Sequence, residues 1–366
     1  MKIVHIMSYF FPFLGGAQSY TYNLSRGLIR LGHEVEVHCS KHSDKLKRQE
    51  YIDGIKVIRH KTYFKIKTAP IFFCNVDADI IHTHFPFPTN CMTAIINKRI
   101  NRVPLVLTYH NDLVGLIENI YNNTIGNFIL NSMDRIITTT PLYMKKSPHL
   151  KIFKKKISVV PIGIDEKKYN PRNSGKKIRK RHSIKGKMIF FVGALSLAHR
   201  YKGVDYLIRA MRYILEKDKD VKLIVGGGGD WLSQLMELTK RLGIEDNVIF
   251  TGKIKDEDLP QYFAACDVFV LPSISMAEGF GMVSLEAMAT GKPVIGSNIG
   301  GIPFVLDKVG LLTKPRDVKS LSKTILKILN NEKLAKRIGK NSREKIEKMF
   351  TIKKFAESTE SVYKSL

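Results

Sequence analysis

Cysteine is scarce in this chain: four residues among 366, at positions 39, 74, 91 and 266, with no CxxC pair. That pattern supports neither a zinc ribbon nor a disulfide framework, and a reducing, cytosolic compartment fits it best. No apolar run approaches the ~18 residues that read as a membrane-spanning helix. Lys2 followed by the largely apolar stretch Ile3 to Ala17 imitates a secretory signal. His5, Ser8, Tyr9 and Pro12 interrupt it, no A-x-A site follows, and Gly15-Gly16 leads into a helical pattern, so it reads as a first strand and its loop. Short-period repeats are missing, as is any low-complexity tract beyond the lysines. Acidic residues are few as well, 33 against 60 Lys+Arg, for a net charge of +27.

What is present is the ordinary balance of a globular protein, 44% hydrophobic and 25% charged, which argues against disorder despite the net charge. The length predicts two domains, each able to bury its own core. The positive excess is local: the 43 residues from Lys145 to Lys187 hold 16 basic and only 2 acidic side chains, half of the whole excess. A nucleic-acid binder would interleave basic residues with aromatics or carry a recognised module. Neither is evident, and no nucleic-acid partner is expected. An anionic membrane surface, where each Lys or Arg contributes about 1 kcal/mol, and a solvated loop with counterions are the two remaining readings.

Short apolar runs alternate with helical patterns along the chain. KIVHIM, EVEVHCS, ADIIHTH, VPLVLTYH and DRIITTT read as strands, with helices over Ala17–Leu31 and Thr89–Ile100. After the basic stretch the rhythm restarts with KMIFFVGAL, VKLIVGGGG, NVIFTGK, DVFVLPS and KPVIGSN. Helices are expected over Tyr201–Glu216, Leu232–Leu242, Asp256–Ala265 and Val283–Ala289. Two βαβ series joined by VVPIGIDEKKYNPRNSGKK predict an α/β protein of two doubly wound domains. They are placed at residues 1–165 and 166–349, with ligand binding beyond the carboxyl ends of the strands, in a cleft between the domains.

The strongest constellation is LPSISMAEGFGMVSLEAMATGKPVIGSNIGG, residues 271–301. A glycine-rich turn from strand to helix exposes backbone N–H groups, and a helix N-terminus adds about half a positive charge, which suits a diphosphate. Glu286, one to two turns into the helix, can accept hydrogen bonds from ribose hydroxyls, and Glu278 just before it can reach a sugar on the phosphate. Arg200-Tyr201-Lys202-Gly203 follows the first strand of the second half, where cations suit a departing diphosphate. Gly226–Gly229 forms another βα turn but lacks the third glycine of GxGxxG, so no nicotinamide or flavin fingerprint is present. His82-Thr83-His84 without further ligands is a weak metal signal, and Asp77-Ala78-Asp79 reads as structural capping rather than a metal-binding DxD.

With its Gly-Gly loop, TYHND, VVPIGID, YKG and EGFGMVSLEAMATGKPVIG, the chain resembles the retaining glycosyltransferases of family 4 over nearly its full length. The resemblance implies the GT-B fold, two facing Rossmann-like domains, with a final helix (about 350–366) crossing back onto the first. It implies that Glu278 and the backbone of Phe280, Gly281, Met282 and Val283 hold the donor sugar and phosphate. Glu286 would hold the ribose, Lys202 the diphosphate, and Gly193 and Gly227 would line the same nucleotide-sugar site. Ile254 would lie at the nucleobase, His110 would approach the donor sugar from the opposite domain, and Gly16 would let the first loop near the phosphate. The family's usual Arg after Gly193 is Ala194 here, and Arg200 is assigned as its substitute. Phe304 stands where Glu often follows GGIP.

The reaction so implied moves a hexosyl unit from a nucleotide-diphosphate sugar, GDP-mannose or a UDP-hexose, to a hydroxyl of a glycan or lipid-linked acceptor, with retention and without metal or other cofactor. The setting would be cell-surface polysaccharide or glycolipid synthesis, in the cytoplasm or on the inner face of the membrane. An epimerase or hydrolase of the nucleotide sugar, or a non-catalytic carbohydrate or membrane-surface binder, are the competing readings.

Overall fold

A computed structural model of the chain describes residues 1–13, 15–66, 69–112, 122–147 and 149–366. They divide into two compact units, residues 1–163 with 350–366, and residues 164–349.

The first unit is built on an eight-stranded sheet. β1 (Lys2–Ile6), β2 (Glu34–Ser40), β4 (Ile55–His60), β7 (Ile80–Phe85), β8 (Leu105–Tyr109), β9 (Arg135–Thr138) and β10 (Ile157–Val159) run parallel. β3 (Gln49–Ile52) closes one edge antiparallel to β4, giving the order β10-β9-β8-β7-β1-β2-β4-β3. A small hairpin, β5 (Phe64–Ile66) with β6 (Ala69–Ile71), stands apart. The parallel strands are short apolar runs because helices cover both faces. Val4, Ile6, Ile81, Leu105 and Leu107 pack with Ile95 of α2 (Pro88–Asn101) and Ile129 of α3 (Asn127–Ser132). α1 (Gly16–Arg30) lies against the chain's last helix: a Cβ on Gly27 would meet Ala356 Cβ at 2.6 Å. α4 (Pro141–Lys146) completes the described helices of this unit before its return through that last helix.

The second unit repeats the plan with a six-stranded, wholly parallel sheet, β13 (Val248–Gly252), β12 (Lys222–Gly226), β11 (Met188–Val192), β14 (Val268–Leu271), β15 (Val294–Ser297) and β16 (Leu311–Thr313), in that order. Its helices are α5 (Lys176–Arg181), α6 (Val204–Leu215), α7 (Leu232–Arg241), α8 (Leu259–Ala265), α9 (Met282–Ala289), α10 (Ile302–Leu306), α11 (Val318–Leu329) and α12 (Glu332–Met349). The last helix of the chain, α13 (Ile352–Tyr363), starts at Thr351, whose side chain accepts from Lys354 N–H as an N-cap.

The helix expected over Tyr201–Glu216 is interrupted. A 3-10 turn spans Leu197–Lys202, Gly203 adopts φ 68°, and α6 begins only at Val204. A Cβ at Gly203 would fall 2.1 Å from the Pro272 carbonyl oxygen, so the chain must pass that backbone as bare glycine. Lys202 therefore sits on a turn rather than a helix. The basic stretch is also not one surface element: Lys145–Lys156 lies in the first unit and Lys167–Lys187 in the second. Among the described residues no helix is long and apolar enough to cross a membrane.

Candidate active site

In the second unit, β11 and β14 are neighbours although three-quarters of a hundred residues separate them, with β12 and β13 on one side and β15 and β16 on the other. Open parallel sheets bind ligands outside the carboxyl ends of their strands, at the point where strand order reverses. The segments leaving β11 and β14 there carry Lys202, Ser273 and Glu278.

After β11, Gly193 N–H donates to the Gly226 carbonyl at 3.0 Å and Leu195 N–H to that of Gly228 at 3.0 Å. The two glycine-bearing turns thus stack backbone to backbone, and a Cβ on Gly227 would lie 1.8 Å from the Gly193 oxygen. A Cβ on Gly193 would meet Lys202 Cδ at 2.9 Å, so this bare backbone is the passage for the lysine stem. Ile254, after β13, packs beneath Gly226. Arg200 places its guanidinium 5.2 Å from the centre of the Trp231 ring, a cation–π contact.

Lys202 Nζ donates to Glu278 Oε2 at 3.1 Å, and the same oxygen accepts from Ser273 Oγ at 3.0 Å. Both members of the ion pair are largely buried, 15% and 8% exposed at the side chain. Burial works against the lysine's charge, but the Glu278 carboxylate prevails and holds its pKa above the ordinary value. An ammonium has three donors, so the pairing leaves others to bind an anion. Ser273 escaped the sequence reading; its place at the end of the LPS strand was the available signal.

The helix that follows, α9, begins after Gly281 at φ 79° and has no side-chain cap. Phe280 is buried there, and its ring meets Phe304 edge-on at 6.3 Å. Met282 and Val283 open the first turn. Ser284 Oγ, in that turn, and Glu286 Oε2, one turn on, are buried without a hydrogen-bond partner among the described residues. The Tyr169 hydroxyl bonds the Glu286 carboxyl, with Lys168 and Asp256 nearby, and burial pushes that carboxyl's pKa up to about 8. Two polar atoms shielded from water and left unbonded are costly, and such atoms are where a polar ligand gains most.

The first unit holds a separate cluster. Gly15 is the N-cap of α1 and offers no side-chain cap, and a Cβ on Gly16 would meet nothing within 4 Å, which leaves open space beside the loop. His110, at the end of β8, stacks on His84 at 5.3 Å and meets Tyr20 edge-on at 4.9 Å. Its Nε2 lies 3.2 Å from His84 Nδ1, and His84 Nε2 lies 3.1 Å from Thr21 Oγ1, whose own proton goes to the Ala17 carbonyl. Thr21 therefore accepts from His84, His84 Nδ1 accepts from His110, and His110 is left with Nδ1 as an acceptor. Burial lowers the pKa of His110 to about 4 and that of His84 well below its ordinary value, so both are neutral at pH 7. His82 bonds Tyr363 and Thr108, at 2.6 and 2.7 Å, through its two ring nitrogens. Asp79 accepts from the Lys2 backbone N–H at 2.7 Å, a structural role.

Two family models match the chain in succession, Glycosyltransferase Family 4 over residues 14–168 and Glycosyl transferases group 1 over residues 174–345. O-antigen chain mannosyltransferase C of Escherichia coli is 30% identical over 381 residues, covering all of this chain and 99% of that protein. The chain belongs to the group 1 glycosyltransferases. A D-rhamnosyltransferase of Pseudomonas aeruginosa is 27% identical over 75% of the transferase and 70% of its own length. Among solved structures, HepE of Anabaena in complex with UDP-glucose aligns over the full length of both chains, with a TM-score of 0.80 at 21% identity. The transferase has the GT-B fold expected from the resemblance, and its chemistry is glycosyl transfer in glycan synthesis.

Proposed function

We propose that this transferase moves a hexosyl unit from a nucleotide-diphosphate sugar, GDP-mannose or a UDP-hexose, to a hydroxyl of a glycan or lipid-linked acceptor in cell-surface polysaccharide or glycolipid synthesis. The observation that carries the reading is the buried Lys202–Glu278 pair at the strand-order reversal, together with a Glu286 oxygen on the following helix that is buried without a partner among the described residues. The E. coli relative, a mannosyltransferase of O-antigen chains, and HepE, solved with UDP-glucose, support it.

In this reading Glu286 accepts from the ribose hydroxyls, Ile254 lies against the base, and Lys202 with Arg200 neutralises the diphosphate. Gly193 and Gly227 leave room for it. Gly16 does the same in the first unit. Amides around Phe280, Gly281, Met282 and Val283 bind phosphate and sugar, Glu278 orients the sugar, and His110 offers it a neutral imidazole. The bond from the anomeric carbon to the diphosphate breaks, and the acceptor oxygen bonds that carbon on the same face. The acceptor's proton passes to the departing phosphate oxygen. Positioned cations stabilise the charge that grows on the leaving group, so the scheme asks for no metal and no covalent sugar on the enzyme.

The test incubates the full chain with a panel of nucleotide sugars and soluble or lipid-linked acceptors, read by mass spectrometry and by NMR of the new anomeric centre. Nucleotide release that requires acceptor, with an α-donor giving an α-linked product, is expected. Equal release without acceptor marks a hydrolase, an isomerised donor an epimerase, and a β-linked product inversion; each overturns the reading.

We also propose that the basic segment of the first unit docks on an anionic membrane, where a lipid-linked acceptor would reside. The turn Lys151–Lys156 leaves Ile152 73% exposed beside Lys154 and Lys155, and a hollow of 460 Å³ opens between this turn and Asn127 and Asn131. Cations around an exposed apolar side chain suit an anionic interface. Co-sedimentation with phosphatidylserine vesicles should fall steeply as salt rises and should be weak with phosphatidylcholine alone. Binding insensitive to salt would refute it.

A further inference from the structure

Parallel strands buried on both faces normally read as continuous apolar runs, yet β2 carries Glu36 and His38 on one face, both nearly fully buried. Strand register explains what they meet. Glu36 pairs with Lys56 and Ser40 with His60, so Glu36, His38, Lys56 and His60 share a face of the sheet near its β3 edge. The segment after β6 runs over this face, with Phe72 and Val76 in the core and Cys74 partly buried against it. His38 Nδ1 and His60 Nε2 lie 3.0 Å apart, and the donor atoms of His38, His60 and Cys74 all fall within 4.8 Å of one another.

The neighbouring side chains fix the two rings in place. Glu36 Oε1 accepts from Lys56 at 2.8 Å with Lys2 at 3.6 Å, which leaves the carboxylate as an acceptor only. His38 Nε2, 3.0 Å from Glu36 Oε2, must therefore be the donor, which leaves Nδ1 as the ring atom that faces His60. The His60 ring is held flat against Phe72, at 5.5 Å and 8°. A carboxylate behind one imidazole, a second imidazole at bonding distance and a thiol from a third segment are the parts of a soft-donor metal site with its outer support. Tetrahedral zinc would hold the two nitrogens about 3.4 Å apart and the sulfur at a similar reach, so the rings part by a few tenths of an ångström and Cys74 draws in.

We propose that His38, His60 and Cys74 bind one zinc ion, with Glu36 positioning His38 and a water completing the tetrahedron. The ion would pin the segment after β6 to the sheet edge. It stands apart from the transfer chemistry and from His110.

Cobalt(II) added to the chelator-treated full chain is the test, since thiolate ligation gives a charge-transfer band in the near ultraviolet and tetrahedral geometry an intense visible one. Both bands are expected to saturate at one equivalent, to be displaced by zinc, and to disappear in Cys74→Ser and His60→Gln. Glu36→Gln should retain them with affinity weakened about 10–100-fold. Zinc should raise the melting temperature of the wild type and not that of Cys74→Ser; circular dichroism verifies that each variant is folded. Absence of the charge-transfer band, or its persistence in folded Cys74→Ser, overturns the proposal.

Discussion

Replacing Lys202 with alanine is expected to lower kcat/KM for sugar transfer by about 10²–10³-fold, the usual cost of removing one positioned charge stabiliser. The same change strands a carboxylate. Glu278 is buried, and without Lys202 its Oε2 keeps, among the described residues, only the Ser273 hydroxyl. Breaking one half of a buried pair costs about 3–5 kcal/mol, so the urea midpoint should fall as well. The double variant Lys202→Ala/Glu278→Ala separates the two effects. It removes the stranded charge and should recover part of the lost stability, while transfer stays as low as in Lys202→Ala. Two residues acting on one donor predict such non-additivity. Full transfer in Lys202→Ala would remove the catalytic role assigned to the pair, and a double variant less stable than Lys202→Ala would remove the electrostatic one.

This pair also shows how far the sequence could be read. Glu278, Glu286 and the glycine turns were legible because each sits at a strand-to-helix junction, where local pattern places a residue at the carboxyl edge of the sheet. Lys202 was legible by the same logic, though its backbone was mistaken for helix. Nothing local shows that Gly203 must skirt the Pro272 carbonyl. Tyr169 reaches Glu286 from more than a hundred residues away, and Thr21 settles the tautomers of His84 and His110 from the start of the chain. Such partners depend on sheet order, which periodicity does not encode. Arg200 was assigned from its place after the first strand of the second half and from the family's Arg being Ala194 here; nothing local shows that its guanidinium lies over Trp231, a contact made across two loops.

One element was legible and passed over. Asp53-Gly54 lies between the alternating runs QEYI and IKVIRH, with φ of 48° and 84°, a two-residue hairpin turn that the Asp-Gly pair announces. The hairpin matters because β4 carries His60 beside His38. The polar stripe on β2 likewise departs from the apolar pattern of a buried strand, and departures of that kind mark function or strain more often than accident.

A single methyl group at Gly300 should disable the transferase without unfolding it. Gly300 has φ 60°, and its Cβ would fall 2.1 Å from the Glu278 carbonyl oxygen. Gly301 N–H donates to that same carbonyl at 3.0 Å, so the loop after β15 is what holds the Glu278 backbone in place. Alanine in the left-handed region costs about 1–2 kcal/mol by itself, and the collision forces the two loops apart. A displacement near 1 Å of a group that positions substrate can cost about 10²-fold in rate, and Gly300→Ala is expected to lose that much in kcat/KM. Gly243→Ala is the matched control. Gly243 has φ 64° in the same unit, but nothing lies within 4 Å of its would-be Cβ. It should lose about 1 kcal/mol of stability and no transfer rate. Equal rates for the two variants, measured on folded protein, would mean that the Gly300 loop does not hold Glu278 for the reaction; a deficit confined to Gly300→Ala ties transfer to the backbone position of that glutamate.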